Sequence, residues 1–265
     1  VSNPGLYLDL SRAITGEVMA ATFAEWRRGA SRCGGALIWT LQDLWPGAGW
    51  GVIDASGEPK LAWYALKRSF RSLHLALTDE GCNGLAIHLA NETTEDLALD
   101  LELVCLREGA APVLQARRPV MLPARASLEI SAFDVIGAFF DITYAYRFGS
   151  LGHDVTVVRL RRAGDDRVLS EVFHYPQGAE PLVEPGRVDV RIEGADGIWT
   201  LNLHTDRLVR DVHIDAPGFR LGDNGFDIAP GAIKSVTLAE IGAAGRRPSG
   251  RVMAPGGKVL GGFSS

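Results

Sequence analysis

The sequence predicts a multidomain, mostly β chain: a short region of mixed helix and strand, then two regions built from strands alone. Three observations carry that prediction. Residues up to about Leu73 alternate helical and extended patterns. From Leu75 onward, short apolar runs recur at regular spacing with Gly, Asn and Asp between them, as in a β-sandwich. Between the two strand sets lies "PQGAEPLVEPGR" (176–187), whose Pro and Gly content reads as an inter-domain linker.

The first helix is expected over "GEVMAATFAEWRRG" (Gly16 to Gly29). Val18, Met19, Ala21, Phe23 and Trp26 favour one side, Glu17 lies at the positive end, and Arg27 and Arg28 lie at the negative end before a terminating Gly29. "GALIWTL" (Gly35 to Leu41) is a short apolar run bounded by glycines and polar residues, as a strand buried on both faces would be. "EPKLAWYALKRSFRSL" (Glu58 to Leu73) is expected as a second helix, with Pro59 in its first turn and Lys67, Arg68 and Arg71 near its end. Helix, strand, loop, helix is the rhythm of a β/α barrel or of a doubly wound sheet.

Six strands follow in the first set: "GLAIHLAN", "DLALDLELVCLRE", "ASLEISAF", "DITYAYRFG", "DVTVVRLRR" and "RVLSEVFHYP". The second set holds "VDVRIEG", "IWTLNLHT", "LVRDVHIDA" and "IKSVTLAEI". The tail from Gly242 has little apolar periodicity and is expected to wander or lie along a neighbour. Its "APGGKVLGG" lacks the spacing and the preceding strand of a phosphate-binding loop.

Gross composition narrows the function classes. A net charge of −5 and a pI near 5.7 argue against a nucleic-acid or anionic-membrane partner. No apolar run approaches the length of a membrane span. The opening "VSNPGLYLDL" has neither an initiator Met nor a signal pattern, so it reads as a cut inside a longer protein and assigns no compartment. Cys33, Cys82 and Cys105 are scattered and read as buried free thiols; the histidines are equally dispersed, and no metal site or cofactor is expected.

Four of the six tryptophans, Trp39, Trp45, Trp50 and Trp63, fall between Gly34 and Phe70. Trp39 sits near the end of the expected strand, and Asp43, Trp45 and Trp50 follow in its loop. Two readings stand side by side: three indoles capping a barrel end, or a surface for stacking on sugar. Trp63, mid-helix among apolar neighbours, reads as core. "AFFDITYAYRFG" places Phe140, Ile142, Tyr144, Tyr146 and Phe148 at period two, better explained by one buried sandwich face than by a sugar platform. "LGDNGFDIAPG" (Leu221 to Gly231) reads as a structural corner built on two tight turns. No two carboxylates declare themselves as a catalytic pair.

Two of these stretches together resemble the C-terminal part of β-mannosidases of glycoside hydrolase family 2. The family pattern W-Q-L-N-D-x-W-P, then S-W, an aspartate and G-x-x-K-x-x-(W/Y)-Y-x-x-(K/R)-R, is similar to "WTLQDLWPGAGWGVIDASGEPKLAWYALKR" here. Its D-N-(Y/F)-F-D-L-x-P-G is matched by "DNGFDIAPG". The resemblance implies a (β/α)8 TIM-barrel remnant over 1–74, an immunoglobulin-like sandwich over 75–178, a second over 179–241 and an irregular tail over 242–265. It also implies retaining hydrolysis by two glutamates, one protonating the leaving oxygen and one forming a glycosyl intermediate. No residue here matches either, so no catalytic residue is assigned and the isolated chain is expected to be silent. Substrate contact is what carries over: Trp39 to the pocket wall, Asp43 and Trp45 to its rim. Thr40 and Gln42 stand where the family has Gln and Asn, close to the sugar. The implied partners are a β-mannoside or related sugar and the N-terminal remainder of a parent enzyme. A non-catalytic module binding carbohydrate or protein through its sandwiches is the rival reading.

Overall fold

A computed structural model of the chain describes residues 3–29, 31–178, 186–242 and 245–264. Two helices open it, α1 (Pro4–Arg27) and α2 (Leu61–Ser69). Helix α1 starts twelve residues earlier than the Gly16 expected from sequence. Asn3 explains the start: its Oδ1 accepts the Leu6 amide at 3.0 Å, with Pro4 at the first helical position. Its buried residues are Ala13, Gly16, Phe23 and Ala24, so of the expected apolar side only Phe23 is buried, while Val18 and Trp26 stay exposed. Helix α2 is shorter than expected. It buries Ala62, Tyr64, Ala65 and Leu66, and Trp63, read as core, is only half-buried.

The chain, helices included, divides into two compact units, described separately. One comprises 18–38 and 66–180; the other 1–17, 39–65 and 181–265.

The first strand-bearing unit contains β1 (Leu73–Asp79), β2 (Leu85–Asn91), β3 (Leu97–Arg107), β4 (Ala111–Leu122), β5 (Ala126–Ser131), the short α3 (Ala132–Ile136), β6 (Val155–Arg162) and β7 (Val168–His174). They form two antiparallel sheets, β1-β2-β5 and β4-β3-β6-β7. The core between them is aliphatic: Leu85, Ile87 and Leu89 from β2, Leu99, Leu101 and Leu103 from β3, and Val158 and Leu160 from β6. Period-two alternation puts these residues inward together.

The opposite face of β3 carries charge. Glu102 is buried and lies directly across from Arg117 on β4 and Arg159 on β6. Its carboxylate accepts from Arg117 at 2.8 Å and Arg161 at 3.1 Å. Burial alone would raise its pKa, but the arginines outweigh that and hold it below the usual value. A buried carboxylate so placed is a register mark, because a slip by one residue strands its charge.

Two sequence expectations fail in this unit. "DITYAYRFG" is not a strand. Tyr144 and Arg147 take φ near +55°, the Tyr146 amide bonds to Asp141 Oδ2, and the Tyr144 hydroxyl donates to the Gly149 carbonyl. Local turn bonds therefore win over the period-two stripe. Ile142 enters the core, whereas Tyr146 and Phe148 remain exposed with rings 6.1 Å apart. Conversely, β4 was not expected. Pro112 and Pro119 disfavour a central strand, but β4 is an edge strand, where proline is tolerated. The cysteines also need correction: Cys105 is buried, while Cys33 and Cys82 are exposed free thiols.

The expected strand Gly35 to Leu41 does not form. Leu37 is fully exposed and Leu41 largely so. A strand apolar on both faces needs parallel neighbours and covering layers. Among the described residues the only parallel pairing is the isolated Gln42–Ile53 bridge.

The other unit contains β8 (Val188–Ala195), β9 (Ile198–Thr205), β10 (Val209–Asp215), β11 (Phe219–Leu221), β12 (Phe226–Ile228), β13 (Lys234–Glu240), β14 (Ser249–Ala254) and β15 (Lys258–Ser264). Its antiparallel sheets run β12-β10-β14-β15 and β11-β13-β9-β8. Leu201, Leu203, Val209, Val212, Val236, Leu238 and Val252 fill the space between. Most of the linker reading at 176–187 falls on residues 179–185, outside the described residues.

The tail is not irregular. Strands β14 and β15 form a hairpin, and β14 pairs with β10 from His213↔Met253 to Asp215↔Arg251. Val252, Ala254, Leu260 and Phe263 are buried. The apolar period is hidden by glycines that serve close packing. A β-carbon at Gly261 would stand 2.6 Å from the Val188 carbonyl oxygen, and one at Gly250 would stand 2.6 Å from the Phe263 ring. Gly256 and Gly257, both at positive φ, make the turn.

Candidate functional site

Residues 39–60 form a loop held by its own backbone. The Val52 amide donates to the Thr40 carbonyl at 3.2 Å, Ile53 to Leu41 at 2.9 Å, and Asp43 to Ile53 at 3.0 Å. Thr40 donates to the Trp50 carbonyl at 3.4 Å, so Trp39 and Trp50 flank paired edges of one loop. The Trp39–Thr40 peptide is cis. The Lys60 amide then closes on the Val52 carbonyl at 2.9 Å, and α2 begins.

Asp54 ties the turn before α2. Its Oδ1 accepts Ser56 Oγ at 2.7 Å and the amides of Ser56 and Glu58 at 2.8 and 3.0 Å. These bonds, the Ser56 hydroxyl first, hold its pKa below the ordinary carboxylate value. Asp43 is the second anchor. Lys60 Nζ donates to Oδ2, and the Gly51 amide donates to Oδ1 at 2.7 Å. The Lys60 bond foremost, then the Gly51 bond, depresses its pKa.

The indoles face the other way. Trp39 is 80% exposed, and Trp45 and Trp50 are each 77% exposed. Within this unit, then, the loop gathers the predicted Trp39, Asp43 and Trp45, with the two indoles outward and the carboxylate turned inward. Sequence reasoning left out Lys60 as a partner for Asp43, although the lysine of the G-x-x-K pattern was visible. It read Trp50 with the other two loop indoles but carried no substrate contact over to it, and Trp50 is as exposed as Trp45.

Behind the loop, α2 meets the corner that sequence reading anticipated. Asn224 Oδ1 accepts the Ile214 amide at 2.8 Å, and its Nδ2 donates to the Ile214 carbonyl at 3.1 Å, replacing a strand ladder. Asp223 pairs with Lys234 at 2.7 Å, and Lys234 lies 4.4 Å from the Phe226 ring centre. Gly225 sits at φ +61°, and a β-carbon there would stand 2.8 Å from a Leu61 methyl, so glycine answers both conformation and space. Tyr64 is buried here. Burial first, then the carboxylates of Glu58 and Asp223, push its hydroxyl up to about 12, so it stays neutral.

One more charged group stands out in this unit. Asp211, at φ +51°, has its pKa raised to about 7 by burial first and then by the Asp227 carboxylate. Arg210 lowers it, and Glu17 adds to the rise. Arg210 bonds Glu17 at 3.5 Å, and the Asp211 amide donates to Asp227 Oδ1 at 2.8 Å.

Comparison with known proteins gives consistent results. An Ig-fold domain family of mannosidases matches residues 182–249. β-Mannosidase B of Aspergillus flavus is 36% identical over 250 residues, and that of Aspergillus terreus is 26% identical over 247. Both alignments take in 89% of this chain and 29% of the relative, so the chain spans less than a third of the proteins it matches. Among solved structures, a β-D-mannosidase from Dictyoglomus thermophilum superposes with a TM-score of 0.73 at 21% identity, over 87% of this chain and 27% of that one. An exo-chitosanase from Amycolatopsis orientalis reaches 0.71 at 14% identity, over 96% of this chain and 34% of its own. Those two likenesses concern fold alone. In sequence along nearly nine-tenths of its length, the chain is similar to the C-terminal part of β-mannosidase B enzymes of glycoside hydrolase family 2, and it carries the Ig-fold domain of that group.

Proposed function

We propose that this chain is the C-terminal part of a retaining β-mannosidase-like glycoside hydrolase that releases terminal β-linked mannose. In this reading, residues 1–74 complete a catalytic barrel, and two immunoglobulin-like sandwiches follow. The tail hairpin belongs to the second of them.

The observation that carries the reading is the tryptophan loop. A loop fastened by Asp43, Asp54 and Lys60 presents Trp39, Trp45 and Trp50 to solvent at about four-fifths exposure. Exposing three indoles on an ordered loop is unfavourable unless another surface or ligand covers them. The rest of a barrel and a sugar ring would do both. Trp39 serves as the apolar wall for the C–H face of the sugar, and Trp45 lines the rim. Thr40 and Gln42 set the reach of polar groups beside it. The acid and the nucleophile of such a reaction are glutamates contributed by the remainder of the parent enzyme, since no residue here matches them.

Turnover tests this directly. The 265-residue chain alone should not hydrolyse an aryl β-mannoside above background, whereas the chain joined to its parent's upstream segment should. An aryl β-glucosaminide serves as the control, because an exo-chitosanase shares the fold. In the joined enzyme, Trp39→Ala should lower kcat/KM by roughly 30- to 1000-fold, or about 2–4 kcal/mol. Trp63→Ala should instead lower the melting temperature. Stoichiometric turnover by the chain alone, or an unchanged kcat/KM for Trp39→Ala, would overturn the assignment and leave the binding-module reading.

A further inference from the structure

We propose that Asp43 and Lys60 form a clamp that presets the loop bearing Trp39, Trp45 and Trp50, which makes Asp43 a positioning residue and not a sugar contact. The side chain of Asp43 is 6% exposed, although Leu44 and Trp45 beside it lie far out in solvent. Both of its oxygens are engaged from inside the loop, Oδ1 by the Gly51 amide and Oδ2 by Lys60 Nζ. Lys60 Nζ also donates to the Gly49 carbonyl at 3.2 Å, so one ammonium draws together three points of the loop.

The glycines of the motif fit the same device. A β-carbon at Gly51 would stand 2.7 Å from Asp43 Oδ1 and 2.7 Å from the Ile53 carbonyl oxygen. Gly49 likewise faces the Asp43 carboxyl group. Neither glycine has a positive φ, so both are needed for room and not for conformation. The carboxylate occupies the space their side chains would take. Backbone pairing then transmits the fixed position, from the Asp43 amide to the Ile53 carbonyl and from the Thr40 amide to the Trp50 carbonyl. Two halves of the motif, 17 residues apart, thereby act as one part. Charge-assisted bonds are stronger than neutral ones, and removing Lys60 leaves Asp43 Oδ2 without the bond that fixes it.

The idea rests on the proposed function only for what the indoles face; the clamp can be tested without any sugar. Amide exchange and indole nitrogen–proton resonances of the purified chain would be measured for the unmutated protein, Asp43→Asn, Lys60→Met and Lys60→Arg. The first two variants should each lower protection of the Gly51 amide by roughly tenfold or more and shift the Trp39 and Trp50 indole signals. Amides of Leu101 and Leu203 should be unchanged, and Lys60→Arg should restore part of the Gly51 protection. In the unmutated chain, the Trp50 indole signal should follow an Asp43 carboxyl that titrates below the usual range. This last measurement decides the matter if a variant loses protection everywhere. Equal Gly51 protection in Asp43→Asn, or an indole signal indifferent to Asp43 titration, would overturn the clamp. Absence of glycosidase turnover in the joined enzyme would overturn the functional reading and leave the clamp standing.

Discussion

The two sandwiches and the tryptophan loop handle apolar residues in opposite ways. In the sandwiches, Leu101, Leu103, Leu201 and Leu203 are completely buried between antiparallel sheets whose strands all find their partners within one unit. From Leu37 to Trp50, large apolar side chains of comparable hydrophobicity stand in solvent on backbone that forms no sheet. The difference lies in where the partners come from. An antiparallel sandwich finds its hydrogen bonds and its second face within about a hundred residues. A strand that is apolar on both faces needs neighbours and layers that the described residues do not supply. Apolar content alone does not create a core; it must also have somewhere to go.

The largest effect that would break this comparison is the loss of a sandwich core side chain. Leu101→Ala should destabilise the first sandwich by about 2–5 kcal/mol in denaturant unfolding, through lost burial and the cavity left behind. Glu102→Ala should approach the same size, about 3–5 kcal/mol, because buried Arg161 would lose its carboxylate partner, and Arg159 on the same strand would keep Glu171 but lose Glu102. If either variant unfolds at the wild-type midpoint, the sandwich is not the self-sufficient part.

Next comes a pH effect confined to the second sandwich. The pKa of Asp211 rises from a normal value near 4 to about 7 on folding, so the folded state binds more protons between those limits. Its contribution is therefore complete at low pH and is lost as pH climbs from about 4 to about 7. The loss amounts to about 1.4 kcal/mol for every tenfold difference in proton affinity between the folded and unfolded chain. Asp211→Asn keeps the shape, tolerates the positive φ and removes the charge. Its unfolding midpoint should exceed the wild-type value at a pH of about 8 and match it only below about 3.5. Parallel pH profiles for the two proteins would refute the assignment.

Exchange rates sharpen the contrast further. Amides of Ile87 to Asn91 and Leu99 to Leu103 should be protected far more strongly than those of Gly35 to Leu41, on the order of a thousandfold, because only the former lie in ladders. The smallest effect concerns the exposed indoles. Trp45→Ala should change the stability of the chain by less than about 0.5 kcal/mol, as expected for a side chain in solvent. A large loss there would show that the loop already has a core of its own.

Much of the strand content was legible because β2, β3, β6, β9 and β13 are short runs rich in apolar residues that end at turn residues. The DNG corner was legible too, since Asn and Gly announce the turn that Asn224 and Gly225 make. What stayed hidden was decided by neighbours distant in sequence. β4 is a strand because it is an edge, and being an edge is a property of the sheet. The hairpin of β14 and β15 is invisible to periodicity because Gly250 and Gly261 take apolar positions where another backbone passes within van der Waals reach. Tyr144 and Arg147 bend at positive φ against an alternation that promised a strand. For the site, composition alone located the tryptophans, and the motif resemblance suggested their use. That Asp43 turns inward to Lys60 while the indoles turn outward follows from a pairing across 17 residues, which spacing does not reveal. Side-chain type and local period are written in the order of residues; which face is covered, and by what, is settled only when distant segments meet.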